Sequence, residues 1–542
     1  MSTLTTRLRR PVYRLRRLAA AALVAVAGLA AQPAAAEMVF HRGNGSEPET
    51  LDPHKSSGVP DSYIQFDLFD GLVVPDGGNG QVPGAAESWS VSPDGLVYTF
   101  KLRANGKWSD GTPVTAEDWV FSWKRIVDPK IASKYSWMLW PVKNAKPISE
   151  GKAPLDQLGV KAVDATTFQV TLEQPTPYFV SSLTHHSTYA ISKANYEKFG
   201  EDYIKPGNLV SNGAYMLKEA IPQGHVKVVK NPHHHDAANT KIDTVYFYPT
   251  ENLEAELKRF RSGELHFTYE IPVSQMGWVR QNMADQMKLA PYFGTYFYAM
   301  NMTKEPWKSN KDLRLAVNLA VDRQAITEKI MQQGQIPAYS WVPPNVPNYT
   351  QQVPEYATWT QEQREAKAKE LVQKAGYGPG GKPLEIEILF NTSENHRKTA
   401  IAVASMLQKV LGAKVVLNNQ EWKVFLSTRD EKQFKDIVRH GWIGDYVDPN
   451  NFLELLRSDV GKQNPSGYAN KEFDRVLSEA NATMDVEKRR ALLEQAEKIA
   501  LDDIPIIPLY FYVSKHMISP KVVGWKDSLQ DYHPSRWLSI KE

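Results

Sequence analysis

One stretch of the sequence limits the possible folds more than any other, because a strand, a helix and a second strand follow closely in it. Alternating apolar and polar residues predict a strand from Leu384 to Phe390. A helical pattern follows from about Ser393 to Val410, and a second strand is predicted from Lys414 to Leu417. A helix between two strands is typical of a βαβ unit, so we expect a mixed α/β fold.

The residues at both ends of a predicted helix just before this unit also fit a mixed α/β fold. Thr360 and Gln363 have the spacing of a capping box, in which each side chain bonds to the other's backbone. Gly376 is placed to end the helix predicted over 360–375. The helix therefore has both its start and its stop encoded locally.

The first half of the chain contains the same two kinds of segment. Alternation predicts a strand over Val97–Leu102. Thr115 and Asp118 form a second capping box at the start of the next helix. The neighbouring carboxylates Glu117 and Asp118 are therefore interpreted as a helix cap rather than as a catalytic pair.

The amino-terminal 36 residues differ from the rest of the chain. They contain six arginines, an apolar run from Leu18 to Ala30, and small residues at Ala34, Ala35 and Ala36. This order predicts a secretory signal peptide over 1–36, cleaved after Ala36, since the apolar run is short for a membrane span. An uncleaved amino-terminal anchor is the alternative.

Removal of that segment changes the charge and indicates the compartment. It takes away six positive and no negative side chains, so a formal charge of +3 becomes about −3. A mildly acidic protein gives no reason to expect nucleic acid as a partner. The chain has no cysteine, which excludes thiol catalysis, Cys-bound metals and a lipid-anchored cysteine. We expect a free periplasmic protein.

Motifs for chemistry are scarce. The sequence lacks a nucleophile elbow, a P-loop, an H-E-x-x-H motif and a dinucleotide fingerprint, so we predict no catalytic residues and no cofactor. The best metal candidate is His233, His234, His235 and Asp236. Adjacent side chains in a loop point in different directions, so we predict a solvated loop there and no metal site.

A set of motifs along the chain resembles one known family. Residues 108–125 read WSDGTPVTAEDWVFSWKR. Further matching segments, in the same order as in the family, are residues 49–54 (ETLDPH), 86–89 (AESW), 212–215 (NGAY), 391–393 (NTS), 419–422 (NQEW) and 441–446 (GWIGDY). The chain resembles the extracellular solute-binding proteins of peptide ABC importers, and among these the oligopeptide-binding branch.

The resemblance implies a bilobed type II periplasmic binding protein fold of the large, three-domain variety. Domain I would comprise 37–69, 194–293 and 514–542, domain II 70–193, and domain III 294–513. The chain would cross between lobes near residues 293 and 513. Lobes joined in this way close over a ligand by hinge motion.

The resemblance also implies how the two ends of a peptide would be held. Asp445 would accept the ammonium group at the amino end. The positions of Arg429, Arg439 and His396 match those that receive the carboxylates of peptides of different length. The alternatives are a surface aspartate for Asp445 and a structural ion pair for each of the cations.

The remaining site residues would contact the middle of the peptide. Backbone groups near Ser57, Val59, Gly441 and Ile443 would pair with the peptide main chain, as when a strand is added to a sheet edge. Hydrated side-chain pockets would be walled by Tyr135, His185, Tyr269, Trp442 and Tyr512, with Asn391 and Glu270 also at the site. Plain core packing is the alternative for each aromatic residue.

The function that the resemblance implies is binding rather than catalysis. The protein would capture short peptides and deliver them to the membrane permease subunits of an ABC importer, acting as a monomer. A specialised murein-peptide receptor or a nonpeptide receptor of the same fold is the nearest alternative. An exported hydrolase and a chaperone that binds unfolded chains are alternatives of another class.

Overall fold

The computed structural model describes residues 37–541 with the exception of 79, 347 and 379. The predicted signal peptide, 1–36, lies outside the described residues. From Val39 to the carboxyl end the chain packs as one compact unit. Within the described residues, no helix has the length and apolar character needed to cross a membrane.

The strands of this unit range from two to fourteen residues in length. In chain order they are β1 (Val39–Gly43), β2 (Val73–Pro75), β3 (Gln81–Pro83), β4 (Ala86–Val91), β5 (Val97–Leu102), β6 (Val160–Asp164), β7 (Thr167–Thr171), β8 (Tyr215–Ile221), β9 (His225–Lys230), β10 (Thr244–Tyr248), β11 (Met287–Met300), β12 (Ile336–Pro337), β13 (Glu385–Asn391), β14 (Lys414–Gln420), β15 (Ile437–Ile443), β16 (Ile506–Met517), β17 (Val522–Val523) and β18 (Ser539–Ile540).

The α-helices lie between these strands, together with short 3₁₀ turns and one π-helical segment over Ala325–Met331. In chain order they are α1 (Val59–Leu68), α2 (Ala116–Val127), α3 (Ala145–Ser149), α4 (Phe179–Ser182), α5 (Lys193–Phe199), α6 (Leu253–Arg261), α7 (Met276–Asn282), α8 (Lys311–Ala320), α9 (Gln361–Lys374), α10 (Glu394–Leu411), α11 (Trp422–Asp430), α12 (Asn450–Leu453), α13 (Lys471–Ala482) and α14 (Val486–Asp503).

The largest sheet has six strands in the order β12-β16-β11-β15-β13-β14. Its members β13, β14 and β15 are parallel, whereas β11, β12 and β16 join by antiparallel pairing. The predicted βαβ unit is confirmed: β13 and β14 pair in parallel, with Ile388 opposite Leu417, and α10 connects them. The second strand continues three residues beyond its predicted end, to Gln420.

Both faces of this sheet are buried along its central strands. Along β11, Phe297 and Ala299 enter one apolar core, while Tyr296 and Tyr298 enter another. Successive side chains of a strand point to opposite faces, which explains this alternation. A strand covered on both faces provides a rigid support for the side chains at its ends.

Two smaller sheets complete the framework. The strand order is β1-β10-β9-β8 in one, where β1 and β10 are parallel, and β4-β5-β7-β6 in the other, which is antiparallel. The predicted strand Val97–Leu102 is confirmed as β5. The pairs β2-β3 and β17-β18 form two-stranded sheets.

Both predicted capping boxes are present. The Thr360 side chain accepts from the Gln363 N–H at 3.3 Å, and the Gln363 side chain accepts from the Thr360 N–H at 2.8 Å. Gly376 follows the helix with a φ of 88°, in the left-handed region that favours glycine. At α2 the Asp118 carboxylate accepts from the Thr115 N–H at 2.9 Å, so Asp118 is a cap, as predicted.

The predicted solvated loop at 233–236 is wrong for His234. Its side chain is buried, and its Nε2 lies 3.0 Å from an oxygen of Asp70. Arg536 donates to the other oxygen of Asp70 at 2.6 Å. Asp70 is buried and lies 164 positions before His234 in the chain. The side chain of His234 is buried because it forms a hydrogen bond with this carboxylate, as Arg536 also does.

The strands β11 and β16 run through the two predicted interlobe crossings. They pair from Met287 opposite Met517 to Pro291 opposite Val513, and pairing resumes with Thr295 opposite Phe511. Between these two paired stretches, β11 has three unpaired residues and β16 has one. This irregularity covers residues 292–294 and residue 512, next to the predicted crossings near 293 and 513. The domain boundaries themselves stay a prediction.

Candidate functional site

A cavity of about 190 Å³ opens beside the carboxyl end of β15. Its wall contains all fifteen residues that were predicted to contact a ligand: Ser57, Val59, Tyr135, His185, Tyr269, Glu270, Asn391, His396, Arg429, Arg439, Gly441, Trp442, Ile443, Asp445 and Tyr512. These residues come from segments nearly 460 positions apart in the chain. The structure therefore brings the predicted set together, while the role of each residue stays a prediction.

Asp445 is a buried carboxyl group without a cationic partner. Only 5% of the residue is exposed. The groups that contact its carboxyl oxygens are neutral: His185 Nε2 lies at 3.2 Å and the Asn451 amide donates at 3.4 Å. Among the described residues, no lysine or arginine lies within ion-pair distance of Asp445.

The surroundings of Asp445 favour its protonated form. Burial raises the pKa of Asp445 to about 8. Burial also lowers the pKa of His185 well below its ordinary value, with a further contribution from His186, so this imidazole is uncharged at neutral pH. A ligand cation is therefore the group that would allow Asp445 to ionise.

Arg439 is the opposite case, a buried cation that has no anionic partner among the described residues. Its guanidinium donates to the Asn391 side chain at 3.3 Å and to the Tyr512 hydroxyl at 3.1 Å. Its Nε has no hydrogen-bond partner among the described residues. A guanidinium is always charged, and it presents donors suited to a carboxylate. Arg439 is therefore ready to receive a carboxylate group.

Arg429, by contrast, is already neutralised. It donates to the carboxylate of the adjacent Asp430 at 2.8 Å. Lys134 lies 3.1 Å from the same carboxylate. Although burial opposes ionisation, Arg429 and Lys134 hold the pKa of Asp430 below its ordinary value. A ligand carboxylate at Arg429 would have to compete with Asp430.

His396 offers a hydrogen bond rather than a charge. Burial, with Arg439 and Lys515 nearby, lowers the pKa of His396 well below its ordinary value. Its Nδ1 lies 3.4 Å from the Tyr296 hydroxyl. At neutral pH the ring is uncharged, so of the three residues assigned to the carboxyl end, Arg439 is the one with a free charge.

The sheet is open beside Arg439. Strand β15 pairs with β13 only at Ile437 and Val438, but it continues along β11 as far as Ile443. From residue 439 to 443, β15 thus has no β13 neighbour in the described pairing. An extended chain could lie along this free edge and take main-chain hydrogen bonds.

Gly441 leaves room for the contact between Arg439 and Tyr512. A Cβ atom at position 441 would lie 2.2 Å from the Tyr512 hydroxyl and 3.3 Å from the Arg439 guanidinium. Any side chain there would push Tyr512 away. The glycine is required by this close approach.

Aromatic rings line the cavity near Asp445. The Tyr135 ring lies 4.5 Å from the His185 ring and 6.3 Å from the Trp442 ring, measured between centroids. The Trp442 indole donates to Asn451, the residue that also contacts Asp445. Tyr269 contacts Tyr63 edge-on at another part of the wall. These rings are fixed by packing and by hydrogen bonds.

Ser57 and Val59 lie at the start of α1. The Ser57 hydroxyl accepts from Lys134 at 3.3 Å, and Val59 is the first helical residue. Lys134 also contacts Glu49 and Asp430. This lysine therefore connects the α1 side of the cavity to the end of α11.

Some residues of the wall were missed by sequence reasoning. Lys515 is buried and lies 2.8 Å from Glu270, a residue 245 positions earlier. Tyr292, Asp531 and Tyr532 also line the cavity. No local pattern in the sequence indicates such long-range contacts.

Comparisons with known proteins agree with this geometry. The family described as bacterial extracellular solute-binding proteins, family 5, matches residues 80–464. The periplasmic oligopeptide-binding protein OppA of Salmonella typhimurium is 40% identical over 505 residues, which cover 92% of each chain. The chain thus matches the family both in its central region and over almost its full length.

Solved structures support the fold. The murein tripeptide-binding protein MppA of Escherichia coli superposes with a TM-score of 0.91 at 40% identity, over 94% of this chain and 99% of that one. OppA of Haemophilus influenzae in complex with the peptide RPPGFSPFR gives a TM-score of 0.90 at 37% identity, over 94% and 99%. The predicted bilobed α/β fold is confirmed by these superpositions.

A second structure of MppA allows the arrangement of the lobes to be compared. Its unliganded open form is also 40% identical, yet the TM-score is 0.66, over 93% of this chain and 98% of that one. The arrangement here therefore differs from the open one. The motifs, the cavity and the similarity over the whole chain lead to one conclusion: the protein belongs to family 5 of the bacterial extracellular solute-binding proteins.

Proposed function

We propose that this protein is a periplasmic receptor that captures short peptides with free ends and delivers them to the permease subunits of an ABC importer. One observation carries the proposal: the same cavity contains a buried carboxyl group without a cation, Asp445, and a buried guanidinium without an anion, Arg439. A free peptide has an ammonium at one end and a carboxylate at the other. It would complete both ion pairs at once.

The energetics favour such a ligand over a neutral one. A charge enclosed away from water is costly unless it meets an opposite charge and further hydrogen bonds. A zwitterion supplies both partners, whereas a ligand without free ends would leave Arg439 unpaired. The cavity therefore selects for charge at two separated points.

Main-chain pairing accounts for the middle of the ligand. The free edge of β15, from residue 439 to 443, would accept a peptide strand alongside Gly441 and Ile443. Ser57 and Val59 would contribute from the opposite wall. Such contacts do not depend on peptide sequence, and waters between the aromatic walls would adapt to different side chains.

The relatives support the setting of this function. OppA of Salmonella typhimurium and MppA of Escherichia coli are both named as periplasmic binding proteins. We infer the same compartment for this chain, with domain I over 37–69, 194–293 and 514–542, domain II over 70–193, and domain III over 294–513. The protein would act as a monomer and without enzymatic activity.

A murein peptide is the second candidate ligand. MppA is 41% identical over 497 residues, a level equal to that of the Escherichia coli OppA. Similarity therefore does not separate the two ligand classes. A nonpeptide solute is less compatible with the pair of Asp445 and Arg439, because such a solute need not have two charged ends.

The test identifies the ligand that the protein already holds. The purified protein is denatured, and the released compounds are identified by mass spectrometry. The Asp445→Asn variant, prepared in the same way, is the control. We expect a mixture of short peptides from the wild type and much less from the variant. A single murein peptide would support the second candidate.

Other results would contradict the proposal. Release of one sugar or metal complex, with no peptide affinity by calorimetry, would exclude a peptide receptor. Added peptides should be recovered intact, whereas their cleavage would indicate a hydrolase. Binding of long unfolded segments without free ends would indicate a chaperone.

A further inference from the structure

A second group of polar residues lies beside the cavity and includes neither Asp445 nor Arg439. His516 on β16 and His533 both direct their Nε2 atoms to the carboxylate of Asp531, each at 2.9 Å. One nitrogen from each ring and one carboxylate oxygen all lie within 4.8 Å of one another. All three residues are buried.

The charge of Asp531 is not balanced by lysine or arginine. Among the described residues, its ion-pair partners are the two histidines alone. The adjacent cation, Arg42, donates to the backbone carbonyl of His533 at 3.0 Å. A positive charge in direct contact with the Asp531 carboxylate would therefore come from a protonated histidine or from a bound cation.

The cluster around Asp70 provides a contrast. There, too, two histidines, His234 and His235, approach one buried aspartate. Arg536 already donates to that carboxylate at 2.6 Å and supplies the positive charge. The two clusters have similar residues, but only the Asp531 cluster lacks a permanent cation.

The orientation of His516 points to a cation between the side chains. Its Nδ1 lies 3.0 Å from the Thr268 carbonyl, which can only accept, so the proton of the neutral ring is on Nδ1. The Nε2 lone pair then faces the Asp531 carboxylate. Two acceptors at this distance need a proton or a metal ion between them.

The surroundings have the form of a metal site's outer shell. A histidine that binds metal usually donates its second N–H to a carbonyl, as His516 does. The Tyr63 hydroxyl donates to Asp531 at 3.0 Å, and the Trp525 ring stacks on His533 at 3.6 Å. Tetrahedral zinc with bonds of about 2.0 Å needs ligand atoms about 3.3 Å apart. The N–O distances of 2.9 Å require only a small expansion.

We propose that His516, Asp531 and His533 bind one divalent transition-metal ion of the zinc class. Two imidazoles and a carboxylate suit such an ion better than they suit calcium or magnesium. His516 and Asp531 line the cavity, which gives the ion a path from solvent. The site is independent of the peptide proposal, since Asp445 and Arg439 take no part in it.

The experiment treats the full-length protein with a chelator and then titrates it with Zn²⁺ alone, and calorimetry measures the affinity and the number of ions bound. We expect one ion per chain, and an affinity at least about tenfold lower in Asp531→Asn and in His533→Gln. The matched control, His234→Gln, alters the Asp70 cluster and should keep the wild-type affinity. Circular dichroism without metal shows whether each variant is folded.

Co²⁺ bound to the wild type provides a measurement that needs no variant. A tetrahedral site with two imidazole ligands should give visible d–d absorption, and X-ray absorption should show two histidines and a carboxylate. Absence of Zn²⁺ and Co²⁺ binding would overturn the proposal and leave a protonated histidine as the partner of Asp531. Loss of binding in His234→Gln alone would also overturn it, because the ion would then lie at the other cluster.

Discussion

At the scale of single residues, the site is defined by two charges whose partners are missing. Asp445 contacts His185 and Asn451, both of them neutral, and Arg439 contacts Asn391 and Tyr512. Most buried charges elsewhere in the protein are paired, as Arg125 is with Asp52 at 2.6 Å. Other buried charges, such as Arg323, are met by backbone carbonyl groups instead. Asp445 and Arg439 lie in one cavity, where a single ligand could supply both partners.

Peptide affinity should depend on pH through Asp445. Burial raises the pKa of Asp445 to about 8, so below this pH the empty protein must lose a proton before it pairs with an ammonium. Protons then compete with the peptide, and affinity should rise by up to about tenfold per pH unit between pH 6 and 8. Above about pH 8 the peptide's own amino group loses its charge.

Calorimetry in buffers of different ionisation enthalpy measures the number of protons released on binding and so checks this pH dependence. Binding at pH 7 should release close to one proton in the wild type and none in Asp445→Asn. His185 and His396 do not interfere, because burial keeps the pKa of each well below its ordinary value. An affinity independent of pH in the wild type would show that Asp445 does not ionise on binding.

The family motifs predicted which residues meet at the cavity, but not their charge state. Arg429 was assigned to a ligand carboxylate, yet Asp430 already neutralises it. The ion pair of Arg429 and Asp430 could be predicted from the sequence, because the two residues are adjacent and have opposite charges. The pair of Lys515 and Glu270 could not, since it depends on the packing of β16 against a distant loop.

At the scale of secondary-structure elements, β15 determines how a ligand would lie. It leaves the β13 side of the sheet at Val438 and continues beside β11 to Ile443. Gly441 lies within this free stretch, close to the Tyr512 hydroxyl. Because glycine has no side chain, the free edge of β15 stays accessible and Arg439 can donate to the Tyr512 hydroxyl.

Gly441→Ala should therefore reduce binding more than stability. The added Cβ would lie 2.2 Å from the Tyr512 hydroxyl and would displace it from Arg439. We expect peptide affinity to fall by about tenfold or more, since one charge-assisted contact is disturbed. Titration calorimetry measures the affinity, and urea unfolding measures the stability.

Thr360→Ala is the matched control for stability. It removes a helix cap far from the cavity and should cost about 1 kcal/mol of unfolding free energy. Its peptide affinity should equal that of the wild type. If Gly441→Ala behaved like Thr360→Ala, with stability reduced and affinity retained, the role given to Gly441 would be incorrect.

Elements with local signals were predicted well. The capping boxes, the strand β5 and the βαβ unit depend on residues a few positions apart, and each is present in the structure. The order of the six-stranded sheet was not predicted. It depends on β11 meeting β16 more than 200 residues later, which periodicity alone does not encode.

At the scale of the whole molecule, polar contacts join the proposed domains around the cavity. His185 and Lys134, in proposed domain II, lie 3.2 Å from Asp445 and 3.1 Å from Asp430 in proposed domain III. Lys146 and Asp459 form a further ion pair between the same domains. The lower TM-score to the open form of MppA agrees with lobes that are close together here. Opening would separate His185 from Asp445 and expose the carboxyl group to an incoming ligand.

The central claim is that both ends of a peptide are held by charge. The most direct measurement is calorimetry of one tripeptide in free, amino-acetylated and carboxy-amidated forms, with wild type and Asp445→Asn. Breaking a buried charge pair costs about 2–5 kcal/mol, so the variant should bind the free and amidated peptides about 30-fold more weakly or worse. The acetylated peptide, which lacks the ammonium, should bind weakly and equally to both proteins. An equal loss for all three peptides would contradict the claim, because Asp445 would then support the cavity without holding the amino end.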